Sequence, residues 1–280
     1  DASVRLHYKL DNTFRRPHGR VYIKFVTPGL FATPRSFVLA SLTCRLLTDD
    51  LTEQTKNAED AGLRYRIQVS DDCFCLRLDG FSDKLPLLLQ CVVDRLVGLR
   101  ADPDRFSRVL EDLHHFYEVR VKDEPHYHAC SVSEMLLYPH QWHATEILRC
   151  FGDEPDESPS TGGPVGRRAR MHPLPLAPVE LDAFLASVWQ RGVFIEALVT
   201  GNVAPAAALA MIAAVEDALP ALPLPTADHP VFRVVELPTR HPVIARIASP
   251  HPQNTNSAVR VVFQVGCVGD PSADVALDLL

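Results

Sequence analysis

His115 and Glu118 stand three residues apart in His115-Phe116-Tyr117-Glu118, a spacing that puts an imidazole and a carboxylate on one face of a helix. In the H-x-x-E-H pattern of zinc hydrolases a second histidine follows the glutamate at once, so that two imidazoles hold one metal while the carboxylate activates its bound water. Val119 occupies that place here, and His114 is turned about 100° away from His115 on a helix, so it cannot replace the missing ligand. The spacing therefore favours a structural reading, polar residues on an exposed helix face. Pro125-His126-Tyr127-His128-Ala129 holds the other close pair of histidines. Residues i and i+2 reach one metal only from an extended backbone, and Asp123 and Glu124 alone are at hand as further ligands, so capping or packing is the favoured role. There is no G-x-S-x-G, no G-x-x-x-x-G-K and no G-x-G-x-x-G, which leaves no nucleophile elbow and no phosphate cradle. The seven cysteines (Cys44, Cys73, Cys75, Cys91, Cys130, Cys150 and Cys267) include no C-x-x-C, and several fall on apolar faces of predicted elements. Free thiols of this kind point to a reducing compartment, the cytosol.

The elements that must position these residues alternate between two periods. Thr33-Pro34 is a helix start, and Phe37, Ala40, Leu42, Cys44, Leu46, Leu47 and Leu51 give the helix a wide apolar face that runs to Gly62. Leu63, Tyr65, Ile67 and Val69 then alternate with Arg64, Arg66, Gln68 and Ser70, and after the turn at Asp71-Asp72, Phe74, Leu76 and Leu78 alternate with Cys73, Cys75 and Arg77. The pattern predicts a hairpin with one buried and one wet face. Val4 to Leu10 and Arg20 to Val26 read as strands before the helix, with a loop from Asp11 to Gly19. Ser82-Asp83 is the expected cap of a helix from Leu85, Asp102-Pro103 starts another that Pro125 limits, and Ala129 to Leu137 and His143 to Phe151 read as short helices. Val179 to Trp189 is helical by pattern, Phe194 to Val199 a strand, and Pro205 to Leu219 an Ala-rich helix.

Two stretches change composition. Gly152 to Pro175 is rich in Asp, Glu, Ser, Gly and Pro and reads as an exposed, disordered insertion, 152–175. Pro220 to Pro230 carries several prolines and reads as a linker, with strands expected at Phe232 to Leu237, Val243 to Ile247 and Ala258 to Val265, and a helix from Asp274 to Leu280. The domain reading is thus 1–221 for a first unit, 222–230 for a linker and 231–280 for the truncated start of a second, which repeats the opening order of the first. The chain begins at Asp1 without a methionine and ends inside a predicted helix, so it reads as a fragment. Lys and Arg total 28 against 35 Asp and Glu, and a net charge of −7 argues against a nucleic-acid surface. No apolar run approaches the roughly 20 residues of a membrane span, and no signal peptide is visible.

Ala58-Glu59, Ala61-Gly62-Leu63 and Tyr65, followed by Gly80-Phe81-Ser82-Asp83-Lys84, Pro86, Leu88 and Leu89, resemble the insulinase/pitrilysin family of zinc metallopeptidases. They match the third of that family's four homologous domains, while the metal belongs to the first. Asp11, Thr13 and Phe14, the turn Gly201-Asn202-Val203, and Asn254, Asn256, Ser257, Val262 and Gln264 fall in matching places, and Pro125 to Ala129 resembles an element at a turn between helices. The resemblance implies an α+β fold, a mainly antiparallel sheet packed against several α-helices. It implies zinc in the parent enzyme, bound by an N-terminal catalytic half of the same polypeptide, and no catalytic or metal-binding residue in this segment; it names no substrate-binding residue. The implied work is mechanical. The segment would form part of a chamber wall, apolar and weakly charged, that holds peptide substrates against the zinc site. Such a protein would be cytoplasmic, and its full-length form a possible homodimer. A second expectation is a segment of a catalytically inactive structural or regulatory homologue, because the deciding H-x-x-E-H lies upstream of Asp1.

Overall fold

In the computed structural model, the described residues are 3–138, 141–152, 176–231, 233–239, 241–248 and 253–264. Five strands form one sheet: β1 (Val4–Leu10), β2 (His18–Val26), β3 (Arg64–Ser70), β4 (Cys73–Phe81) and β5 (Phe194–Gly201). Their order across the sheet is β1-β5-β2-β4-β3. Only β1 and β5 run parallel; the other three pairings are antiparallel, as expected for this fold class. Seven α-helices accompany the sheet among the described residues: α1 (Pro34–Asp60), α2 (Leu85–Gly98), α3 (Pro103–Val121), α4 (Pro125–Leu137), α5 (Ala144–Leu148), α6 (Pro178–Arg191) and α7 (Pro205–Ala218). None is long and apolar enough to cross a membrane.

The local signals act largely as the sequence predicts. Thr33 Oγ1 accepts the Ser36 amide at 3.0 Å with Pro34 at the first helical position, and Gly62 ends α1 at φ +84. Asp71 and Asp72 both take positive φ, 49° and 55°, which makes the β3–β4 connection a two-residue turn whose twist suits the strands it joins. Asp102 caps α3 by accepting the Arg105 amide at 3.0 Å. The core is built from the helix-facing side of the sheet, with Ile23, Phe25, Phe74, Leu76 and Leu78 packed under Leu42, Leu47 and Leu51 of α1 and Leu85, Leu89, Val92 and Val93 of α2. Arg35 of α1 and Glu180 of α6 are tied by two bonds, 2.5 and 2.6 Å, that hold these helices together.

Four expectations are corrected. Ser82 and Asp83 do not cap α2: its N-cap is Lys84, without a side-chain bond, because Lys84 N donates to Phe81 O at 3.0 Å and Pro86 removes an amide that a cap would have served. Pro125 does not merely limit α3, which ends at Val121; it is the first residue of α4, four residues before the predicted start. The segment Pro125 to Ala129 is consequently a helical first turn and not a turn between helices. The described residues between 231 and 264 form no strand. Their apolar side chains lie in solvent, Ile244 73% and Phe263 80% exposed, with no second layer among the described residues to cover them, so the alternation that marks a strand finds no burial there. Leu222 to Leu224, at the start of the expected linker, return to the sheet domain: Val193 N donates to Leu222 O and Leu224 N to Val193 O, and Leu224 is buried. The insertion beyond Gly152 and the helix from Asp274 lie outside the described residues.

Candidate functional site

Strand register sorts the sheet into two faces. Tyr8, Val199, Val21, Leu78 and Tyr65 form one continuous cross-strand row, with Leu6, Ala197, Ile23, Leu76 and Ile67 beside it and Val4, Ile195, Phe25, Phe74 and Val69 next; these are the core rows. The opposite face has Lys9, Thr200, Arg20, Asp79 and Arg64 in one row, His7, Leu198, Tyr22, Arg77 and Arg66 in the second, and Arg5, Glu196, Lys24, Cys75 and Gln68 in the third. No described helix packs there, since the helices lie on the other side. The α-helices leave this face open, and at its Phe194 end His229 stacks on the buried Phe194 ring at 4.3 Å between centroids.

Its chemistry is cationic. Seven Lys and Arg side chains project from it against two carboxylates, in a chain whose net charge is −7. Glu196 pairs with Lys24 at 3.7 Å and Arg5 at 3.9 Å, and Asp79 pairs with Arg77 at 3.7 Å. Lys9, Arg20, Arg64 and Arg66 have no counter-ion among the described residues. Arg66 stands directly opposite Arg77, a like-charge arrangement that destabilises an antiparallel pair. Arg77 also lies over the Tyr22 ring at 5.2 Å, and Tyr22 and Leu198 supply the apolar spots of the surface. The alternation seen in the sequence marks the buried positions, and of the fifteen side chains between them in these rows seven are Lys or Arg.

The histidines singled out in the sequence lie elsewhere. His115 Nδ1 is 3.4 Å from Glu118 Oε2 on an exposed face of α3, and His114 packs against Phe151 at 5.1 Å between centroids. His126 and His128 sit in a helix and so diverge by about 200°, which removes the extended backbone that a shared metal would need. His128 is buried and its ring lies 5.7 Å from that of His143. His143, which spacing alone did not single out, is the N-cap of α5, its Nδ1 accepting the Thr145 amide while Glu146 Oε2 accepts the His143 amide at 3.1 Å. Among the described residues no three His, Cys, Asp or Glu side chains converge as ligands.

Burial pushes the His143 imidazole below its ordinary value of 6.5, with His128 adding to the effect and Glu146 opposing it. The unfolded chain therefore binds this proton first as pH falls. The stabilisation is fully present above pH 6.5 and is lost as pH drops through and below that value toward the lowered folded value. His143→Asn keeps a capping side chain but does not titrate. Thermal melts between pH 7 and pH 5 should show a steeper fall in Tm for the wild type than for this variant, and equal slopes would contradict the assignment.

Comparison with known proteins places this geometry. The family model described as the middle or third domain of peptidase M16 matches residues 1–150, more than half of the chain. The chain belongs to that family. It is 29% identical over 267 residues to the peroxisomal insulin-degrading enzyme-like 1 of Arabidopsis thaliana, covering 93% of this chain and 25% of the relative. It is 26% identical over 263 residues to human nardilysin, covering 93% of this chain and 21% of the relative. The chain thus spans about a fifth to a quarter of the length of these curated relatives. The crystal structure of pitrilysin has the same fold over 79% of this chain and 21% of its own, with a TM-score of 0.65 at 17% identity. The resemblance carried by Ala58 to Leu89 and the α+β class read from the sequence both hold.

Proposed function

We propose that this M16 middle domain is a non-catalytic part of a zinc metalloendopeptidase and that the open face of its sheet is a wall of the substrate chamber. The observation that carries the reading is the sheet face left open by the helices, with three cross-strand rows in which seven of fifteen side chains are Lys or Arg. In this reading zinc and its ligands belong to the N-terminal half of the same polypeptide, and this domain contributes no residue to bond breaking. It binds. Extended peptides lie over the face or along the exposed edge of β3, where Arg64 and Arg66 are presented, and their acidic side chains meet the four cations that lack a counter-ion. Holding the peptide there limits its freedom and excludes water around the bond presented to the metal. We place residues 1–221 in this domain together with Leu222 to Leu224, which bond back to its sheet, treat the rest of 222–230 as a linker and assign 231–280 to the start of the fourth domain, in a cytoplasmic protein whose full-length form is a homodimer.

Fluorescence anisotropy tests the binding role. A labelled extended peptide carrying four glutamates should bind the chain at least about tenfold more tightly at 20 mM salt than the same peptide with four lysines, and the difference should shrink at 300 mM as the charges are screened. Equal affinity for both peptides would overturn the assignment of the face.

A further inference from the structure

Cys73 and Cys75 project from the open face of β4, and their Sγ atoms lie 3.3 Å apart. Both are free thiols, Cys73 buried and Cys75 half-buried. The Cys73 thiol donates to Ser70 O at 2.7 Å, and Lys24 and Gln68 are the cross-strand neighbours of Cys75. β4 lies between β2 and β3 and is hydrogen-bonded to both, so its backbone is fixed on two sides.

That fixation decides what the pair can do. Residues i and i+2 of a strand are about 6.6–6.8 Å apart at Cα, the far limit at which a disulfide closes, so the two sulfurs are brought together without being well placed to bond to each other. A single soft centre inserted between them needs no movement of the strand. We propose that Cys73 and Cys75 form a vicinal-dithiol site for a thiophilic centre satisfied by two sulfur ligands, the chemistry shared by Cu⁺ and trivalent arsenicals. No third His, Cys, Asp or Glu joins the pair among the described residues, which disfavours Zn²⁺ with its four-ligand preference. The charge balance also suits the role. Cys75 is held below the ordinary thiol range by its contact with the Cys73 sulfur, with the Lys24 ammonium adding and burial opposing, so one sulfur is disposed to act as thiolate. The hydrogen bond to Cys75, with burial, pushes the Cys73 thiol up, and its proton leaves only when a ligand takes its place. With an arsenous oxide R–As=O, two As–S bonds form, the As–O bonds break, and the oxygen leaves as water with the two thiol protons; nothing is oxidised or reduced. The site is independent of the chamber reading.

The reduced 280-residue chain should be mixed with one equivalent of phenylarsine oxide and its intact mass recorded. One arsenical less one water should be gained, should survive a monothiol and should be removed by a dithiol. Cys75→Ser should abolish the gain while leaving the circular dichroism unchanged, since that side chain is half-buried; Cys73→Ser should do the same, and Cys130→Ser should have no effect. In the second arm, one Cu⁺ per chain should resist transfer to a bathocuproine chelator in the wild type and not in Cys75→Ser. Uptake of the arsenical alone assigns the site to arsenicals, and retention of Cu⁺ alone assigns it to copper. Failure of both, or an adduct that persists in Cys75→Ser, would overturn the proposal.

Discussion

Replacing Lys9, Arg20, Arg64 and Arg66 together by glutamine is expected to weaken binding of an acidic extended peptide by thirtyfold or more while leaving the chain folded. These four cations face solvent on the open side of the sheet and have no counter-ion among the described residues, so a peptide carboxylate is the first partner they meet. At up to about 1 kcal/mol for each exposed charge pair, four of them amount to at most about 4 kcal/mol, and thirtyfold corresponds to about 2 kcal/mol. The same substitution relieves the repulsion between Arg66 and Arg77 directly across β3 and β4, so the midpoint of urea unfolding should stay level or rise. Unchanged affinity, measured by anisotropy at low salt, would show that these charges are only a solvated face.

Phe74→Ala carries the largest expected loss of stability, about 3–5 kcal/mol. Phe74 is fully buried in the core row Val4, Ile195, Phe25, Phe74 and Val69, and it is flanked on its own strand by Cys73 and Cys75 of the opposite face. The cavity would therefore loosen the strand that presents Cys75 and Arg77, and peptide binding should fall together with the urea midpoint. Cys91→Ser, on α2 and away from the sheet face, gives the contrasting case: a change within about 1 kcal/mol and no change in binding.

Local rules made the first domain legible. The capping of α1 by Thr33, the end at Gly62, the hairpin around Asp71-Asp72 and the start of α3 at Asp102 each depend on a few neighbouring residues, and each appears in the structure as the residue types require. The open face was only half legible. Arg64 and Arg66 on one strand, and Arg77 on the next, can be seen alternating with buried residues, but β5 enters the sheet between β1 and β2 from nearly two hundred residues away, and that topology is what joins five short patterns into continuous rows. Likewise the Cys73 and Cys75 alternation marks a shared face, whereas the 3.3 Å approach of the sulfurs depends on side-chain torsions that no pattern encodes. The strands expected after 231 failed for the opposite reason: alternation announces a face that wants burial, and only a partner layer can supply it.

The central claim is that this domain works as a wall for a metal site held elsewhere in the polypeptide. Zinc content and peptide hydrolysis should be measured for the 280-residue chain alone and after mixing with the N-terminal half of its parent. The account predicts no zinc and no hydrolysis for the chain alone, with hydrolysis increased on mixing and reduced again by the glutamine substitutions on the open face. Stoichiometric zinc with hydrolysis by the chain alone would contradict it, as would a mixture no more active than the N-terminal half by itself.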